Sequence, residues 1–128
     1  MLRPLKYRAL WFALGILAIL AMVTLSLLPG TTGPTYPGFD KLEHITAYVL
    51  LTTWFGAMFE RRGYALLALL LLLLGIGVEL AQGWMAVGRQ ADWRDLVANS
   101  AGIGIGLFLS MRSRQSWLAR VEQWLPAT

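Results

Sequence analysis

The residues equipped for chemistry fall into three short groups. The first is Asp40, Lys41, Glu43, His44 and Tyr48; the second is Glu79 and Gln82; the third is Arg89, Asp92, Asp95 and Asn99. His44 is the single histidine of the chain, and with Glu79 and Asp95 it is the natural candidate for a general base or proton carrier. The surrounding sequence is hydrocarbon: 57% of residues are hydrophobic and 14% are charged. Ionisable groups at bilayer depth are costly unless they line a protein interior or a wet cavity, so their concentration in three segments marks a site.

Spacing predicts how each group is presented. Asp40, His44, Tyr48 and Thr52 recur every four residues, which stacks them on one helix face, with Glu43 beside Asp40. Asp40 and Glu43 would also suit the positive end of a helix dipole, and Asp40 could simply cap it. Glu79 and Gln82 lie one turn apart, with Gly75 a turn earlier allowing close helix approach. Asp95 and Asn99 are also one turn apart, above a small-residue strip at Gly102 and Gly106. Every one of these features also has a purely architectural reading. His44 could be a hydrogen-bonded interior residue, and Glu79 could pair with Arg89 or Arg94.

As metal ligands, Asp40, Glu43, His44, Glu79, Asp92 and Asp95 would provide oxygen-rich coordination with one nitrogen. No spacing among them is specific to a metal motif, and Lys41, Arg89 and Arg94 could balance the acids instead. No metal is therefore expected, and no cofactor is indicated. The absence of cysteine excludes disulfides, thiolate nucleophiles and zinc-thiolate sites. There is no serine nucleophile elbow, zinc-protease signature or histidine pair, so whether the chain is an enzyme stays open.

The elements that must hold these groups read as an all-α, four-transmembrane-helix bundle forming a single domain over residues 1–128. Spans are predicted at about 9–28, 39–59, 64–83 and 95–111; the first, free of charge throughout, is long enough for a hydrocarbon core of roughly 30 Å. The stretch from Pro29 to Pro34 ends the first helix, and Glu60 to Gly63 forms a tight turn. A tail at about 115–125 places Trp117, Leu118, Val121, Trp124 and Leu125 at helical spacing, as in an amphipathic interfacial helix.

Eight of the eleven Lys and Arg residues (Arg3, Lys6, Arg8, Arg61, Arg62, Arg112, Arg114 and Arg120) fall on one side of this topology. Lys41, Arg89 and Arg94 fall on the other, so both termini are expected in the cytoplasm. The net charge of +4 reflects this topology, and no nucleic-acid partner is expected. By the same count, five of the seven acids (Asp40, Glu43, Glu79, Asp92 and Asp95) are on the outer side and should converge.

The run Asp40-Lys41-Leu42-Glu43-His44-Ile45-Thr46-Ala47-Tyr48 carries a D-K-x-x-H-x-x-x-Y pattern. Glu79 and Gln82 carry E-x-x-Q, and Arg89, Asp92, Asp95, Asn99 and Gly102 carry R-x-x-D-x-x-D-x-x-x-N-x-x-G. Together these resemble the VanZ-like family of small bacterial membrane proteins, over roughly residues 40–106. The resemblance implies a multi-pass protein of the bacterial inner membrane, in a family named for an association with teicoplanin resistance. It does not imply a reaction. The leading expectation is an outward-facing polar pocket that binds a lipid-linked or peptide-like envelope precursor, or a glycopeptide-related ligand, and affects glycopeptide sensitivity. The alternatives are a membrane-embedded hydrolase or transferase acting at the outer leaflet, with Lys41 or Arg89 stabilising anionic charge, and a small dimeric transporter. Membrane lipid is an expected partner in all three, and an oligomer is compatible with each.

Overall fold

A computed structural model of the chain describes residues 1–28, 38–85, 91–113 and 116–125. Arg89, Gln90, Arg114 and the Pro29 to Pro34 turn lie outside the described residues. The described chain is all-helical, with no strand and only an isolated bridge between Leu2 and Phe59. Its helices are α1 (Arg8–Leu27), α2 (Phe39–Gly56), α3 (Tyr64–Met85), α4 (Trp93–Arg112) and α5 (Trp117–Glu122), with a 3-10 turn at Arg61–Gly63 before α3.

Two helical segments, Arg8–Leu27 and Arg61–Met85, are long and apolar enough to cross a membrane. Their outward residues are those lipid would tolerate. Leu14, Leu17 and Leu20 on α1 are exposed, as are Leu66, Leu69, Leu70 and Leu73 on α3. The other two long helices fall below that apolarity for a reason tied to the candidate site. α2 carries Asp40, Lys41 and Glu43 in 18 residues, and α4 is diluted by Asp95, Asn99 and three glycines.

α2 and α4 form the closest pair, and glycine makes that approach possible. A Cβ at Gly102 would lie 2.6 Å from the Ile45 carbonyl oxygen, and one at Gly106 would lie 2.5 Å from Thr52 Cβ. Gly104, between them, faces open space. The strip at Gly102 and Gly106 is therefore a packing seam within the bundle. Gly38, at φ +85°, starts α2 in the left-handed region that glycine adopts without strain. Asp40 consequently sits in the first turn of α2, not at its cap.

α2 ends at Gly56, three residues earlier than the expected span. Ala57 and Met58 turn the chain, and Phe59 pairs with Leu2. This end of the bundle is tied by long-range bonds. The Arg3 backbone N–H donates to Met58 O (2.8 Å), Ser116 Oγ donates to Ala57 O (2.6 Å), and Arg61 Nη2 donates to Met111 O (2.6 Å). The segment before α1, the α2–α3 turn and α5 thus share one end, which also carries Arg3, Lys6, Arg8, Arg61, Arg62, Arg112 and Arg120.

The six-residue α5 is anchored to the bundle through two contacts that its amphipathic pattern did not foretell. Leu118 is fully buried in the core. Glu122, which falls between the apolar positions of the tail, accepts the backbone N–H groups of Lys6 (2.8 Å) and Tyr7 (2.8 Å) and the Trp11 indole N–H (2.7 Å). A carboxylate there satisfies donors at the start of α1 and complements its dipole. Desolvation pushes the Glu122 carboxyl up, but the Tyr7, Lys6 and Trp11 donors outweigh it and hold the group below its ordinary value.

Candidate functional site

At the opposite end, α2 begins, α3 finishes and α4 begins. Helical periodicity brings their polar faces together there. A cavity of about 410 Å³ is lined by Asp40, Lys41, His44, Gln82, Ala91, Asp92 and Asp95.

Lys41 is the charge hub of this end. Its ammonium donates to Asp40 Oδ2 (2.8 Å), to Asp92 Oδ2 (2.9 Å) and to Asp95 Oδ1. An ammonium has three donors, and all three are taken. Asp92 also caps α4, accepting the Arg94 backbone N–H at 2.9 Å. The Lys41 ammonium, helped by that N–H, holds the Asp92 carboxyl below the usual carboxylate range. Asp40 and Asp92 form the open rim, whereas Asp95 lies deeper, its side chain only 10% exposed.

Behind Lys41 sits His44. Its Nδ1 lies 2.9 Å from Asn99 Oδ1, and an amide oxygen can only accept, so the proton resides on Nδ1. Nε2 then faces Asp95 Oδ2 at 3.6 Å, too long for a hydrogen bond. Asn99 itself is buried.

Glu79 reaches the same place from α3 and is 7% exposed. Its Oε2 accepts the Asp92 backbone N–H at 3.1 Å. Its Oε1 has no hydrogen-bond partner among the described residues, and neither does the buried Tyr48 hydroxyl. Tyr48 lies against Gly75, where a Cβ would meet its hydroxyl at 3.0 Å and Asn99 Nδ2 at 2.9 Å. Thr52, one turn further down α2, is buried beside Gly106. Ligand atoms of His44, Glu79 and Asp95 all lie within 4.8 Å of one another.

The structure therefore brings together Asp40, Lys41, His44, Tyr48, Glu79, Gln82, Asp92, Asp95 and Asn99. Of the two arginines offered as partners for Glu79, Arg89 lies outside the described residues and Arg94 is exposed, with its guanidinium over the Trp93 ring at 5.9 Å. Gln82 lines the cavity and donates its side-chain N–H to Ser26 O at 2.8 Å, fastening the end of α1 to α3.

Glu43 is the one described candidate that does not join. It is exposed and makes no hydrogen bond or ion pair to a described residue. One position before His44 is about 100° around the helix, enough to carry its side chain off the shared face. Comparison with protein-family models, curated proteins and solved structures returns no match for this chain.

Proposed function

We propose that this chain is a VanZ-like protein that crosses a bacterial inner membrane four times, with both termini cytoplasmic. Its outward-facing pocket binds an envelope-related ligand, lipid-linked or peptide-like, and thereby affects glycopeptide sensitivity. Seven of the nine described Lys and Arg residues lie at the end shared by α5 and the segment before α1, which supports that orientation. The outward faces of α2 and α4 are apolar at Leu50, Val97, Ile105 and Phe108, as lipid contact requires. Exposed Trp117, Val121 and Trp124 on and beside α5 suit the inner membrane interface.

One observation carries the pocket reading. A cluster that served only to lock helices would satisfy its own polar atoms, yet among the described residues Glu79 Oε1 and the Tyr48 hydroxyl, like Thr52 Oγ1 a turn further down α2, are buried without a partner next to the cavity-lining groups. Such atoms are costly unless a ligand completes them.

A hydrolase or transferase at the outer leaflet is the second reading. The placement of His44 favours it: Nδ1 is held by Asn99, and Nε2 is turned toward Asp95. Against it, the three donors of Lys41 are committed to acids and do not await an anionic transition state. A transporter would need a polar route onward. Below Thr52 the bundle instead closes in Phe55, Met58, Tyr64 and Leu67.

The test is glycopeptide sensitivity in a bacterial host expressing the wild type or the Glu79→Gln, His44→Ala or Asp95→Asn variant. Immunoblotting of membranes confirms equal insertion. The wild type alters sensitivity and the variants do not. Wild-type behaviour in all three variants contradicts the pocket reading.

A further inference from the structure

We propose that His44, Glu79 and Asp95 together bind a divalent transition-metal ion at the floor of the pocket. The inference rests on reading this pocket as a ligand site and supplies its missing component. No two of these residues form a metal motif along the sequence, which is why spacing alone did not indicate a metal. Packing of α2, α3 and α4 brings them together, with ligand atoms within 4.8 Å of one another.

Three independent features of the site favour a cation there. The first is the state of His44. With its Nδ1–H donating to Asn99, the neutral ring would present the Nε2 lone pair to the cluster, and a fixed second nitrogen is how proteins orient a metal-binding imidazole. Nε2 lies 3.6 Å from Asp95 Oδ2. Two ligands each about 2.1 Å from a common ion at a tetrahedral angle stand about 3.4 Å apart.

The second feature is Glu79. It is 93% buried, since its exposure is 7%, and its Oε1 lacks a donor among the described residues. A buried carboxylate oxygen without a donor calls for a cation or a proton. The third is charge. Asp40, Glu79, Asp92 and Asp95 gather around one ammonium, that of Lys41, with Arg94 acting on Asp92 from the exposed side, so the described groups carry an excess of two negative charges when ionised. Lys41 does not fill the proposed position, because it holds Asp95 through Oδ1 and leaves Oδ2 turned to His44.

One imidazole and two carboxylates suit Mn²⁺, Fe²⁺ or Zn²⁺ better than the all-oxygen preference of Ca²⁺ or Mg²⁺. Three protein ligands leave positions open to the 410 Å³ cavity, where water or an anionic oxygen of a phosphate-bearing lipid would complete the shell.

The test uses the full chain without a polyhistidine tag, purified in detergent, stripped with a chelator and titrated with Mn²⁺ and Zn²⁺. The wild type binds one equivalent saturably. Bound Mn²⁺ shows nitrogen hyperfine coupling in spin-echo spectra, which His44, the single histidine, assigns without ambiguity. Glu79→Gln and Asp95→Asn weaken binding at least tenfold, Asn99→Ala weakens it about 10–100-fold by releasing the imidazole, and Glu43→Gln leaves it unchanged. Absence of saturable binding by the wild type, or absence of nitrogen coupling, overturns the site even if a variant fails to fold. So does equal binding by the wild type and a folded Glu79→Gln protein. The metal and the envelope ligand fail separately. Metal titration needs no envelope ligand, and the sensitivity assay reports on the pocket whether or not a metal is bound.

Discussion

His44 on α2 and Asn99 on α4 are joined across the closest helix pair of the bundle, Nδ1 to Oδ1 at 2.9 Å, directly above the glycine seam that lets the two helices meet. The bond couples architecture to chemistry, because the contact that locks the helices also decides which imidazole nitrogen faces the acids.

Replacing Asn99 by Ala breaks that coupling. A largely buried imidazole N–H loses its acceptor, which costs about 1–3 kcal/mol, and the ring becomes free to turn. The expected outcome is a lower thermal midpoint in detergent. Asn99→Asp keeps an acceptor opposite Nδ1 and is expected to recover part of the loss.

The seam makes a graded prediction. Gly102→Ala places a methyl 2.6 Å from the Ile45 carbonyl oxygen, and Gly106→Ala places one 2.5 Å from Thr52 Cβ. Each should destabilise by about 1–3 kcal/mol through forced helix displacement. Gly104→Ala meets nothing and should be neutral or stabilising by up to about 1 kcal/mol. Thermal unfolding of the three variants in one detergent checks the order.

Much of this was legible beforehand, and the parts that were not share a physical cause. The period-four recurrence of Asp40, His44, Tyr48 and Thr52 announced a common face, as did the one-turn spacing of Glu79 with Gln82 and of Asp95 with Asn99, because α-helical geometry is local. The all-helical character followed from apolar runs of span length. Partner choice was not local. Nothing near Glu79 in sequence signals that the N–H of Asp92 will cap it, or that one ammonium, Lys41, will gather three aspartates. The bonds of Glu122 to Lys6, Tyr7 and Trp11 cross nearly the whole chain, so its role as an anchor for α1 was invisible in the pattern of the tail.

That anchor has a pH signature. The folded-state pKa of Glu122 is lowered, so its contribution to stability is fully present above the ordinary carboxylate value near 4.5 and is lost as pH falls through the lower folded value. Glu122→Gln should lower the thermal midpoint at neutral pH and flatten its acid dependence below about pH 4.5. Melting curves across that range, wild type against variant, measure the difference.

Lys41→Met should invert the acid response of the other end. With the ammonium gone, Asp40, Asp92 and Asp95 repel one another, and the Asp92 carboxyl loses the partner that depresses it. The variant is expected to be less stable than the wild type at pH 7 and to recover on acidification, as protonation relieves the repulsion. Midpoints recorded at pH 7 and at about pH 4 reveal it.

Orientation is open to a clean chemical test because the chain has no cysteine. Trp93 and Arg62 are exposed at opposite ends. In intact cells whose outer barrier is permeabilised, a membrane-impermeant maleimide should label Trp93→Cys and leave Arg62→Cys unlabelled until the inner membrane is broken.

The central claim is that the polar end binds a ligand from the cell envelope. It is tested most directly by mass spectrometry of small molecules that co-purify with the protein from bacterial membranes. The wild type should retain a lipid-linked or peptide-like envelope component that the combined Glu79→Gln, His44→Ala and Asp95→Asn variant releases. An identical set of molecules on both proteins, or none on either, would contradict the account.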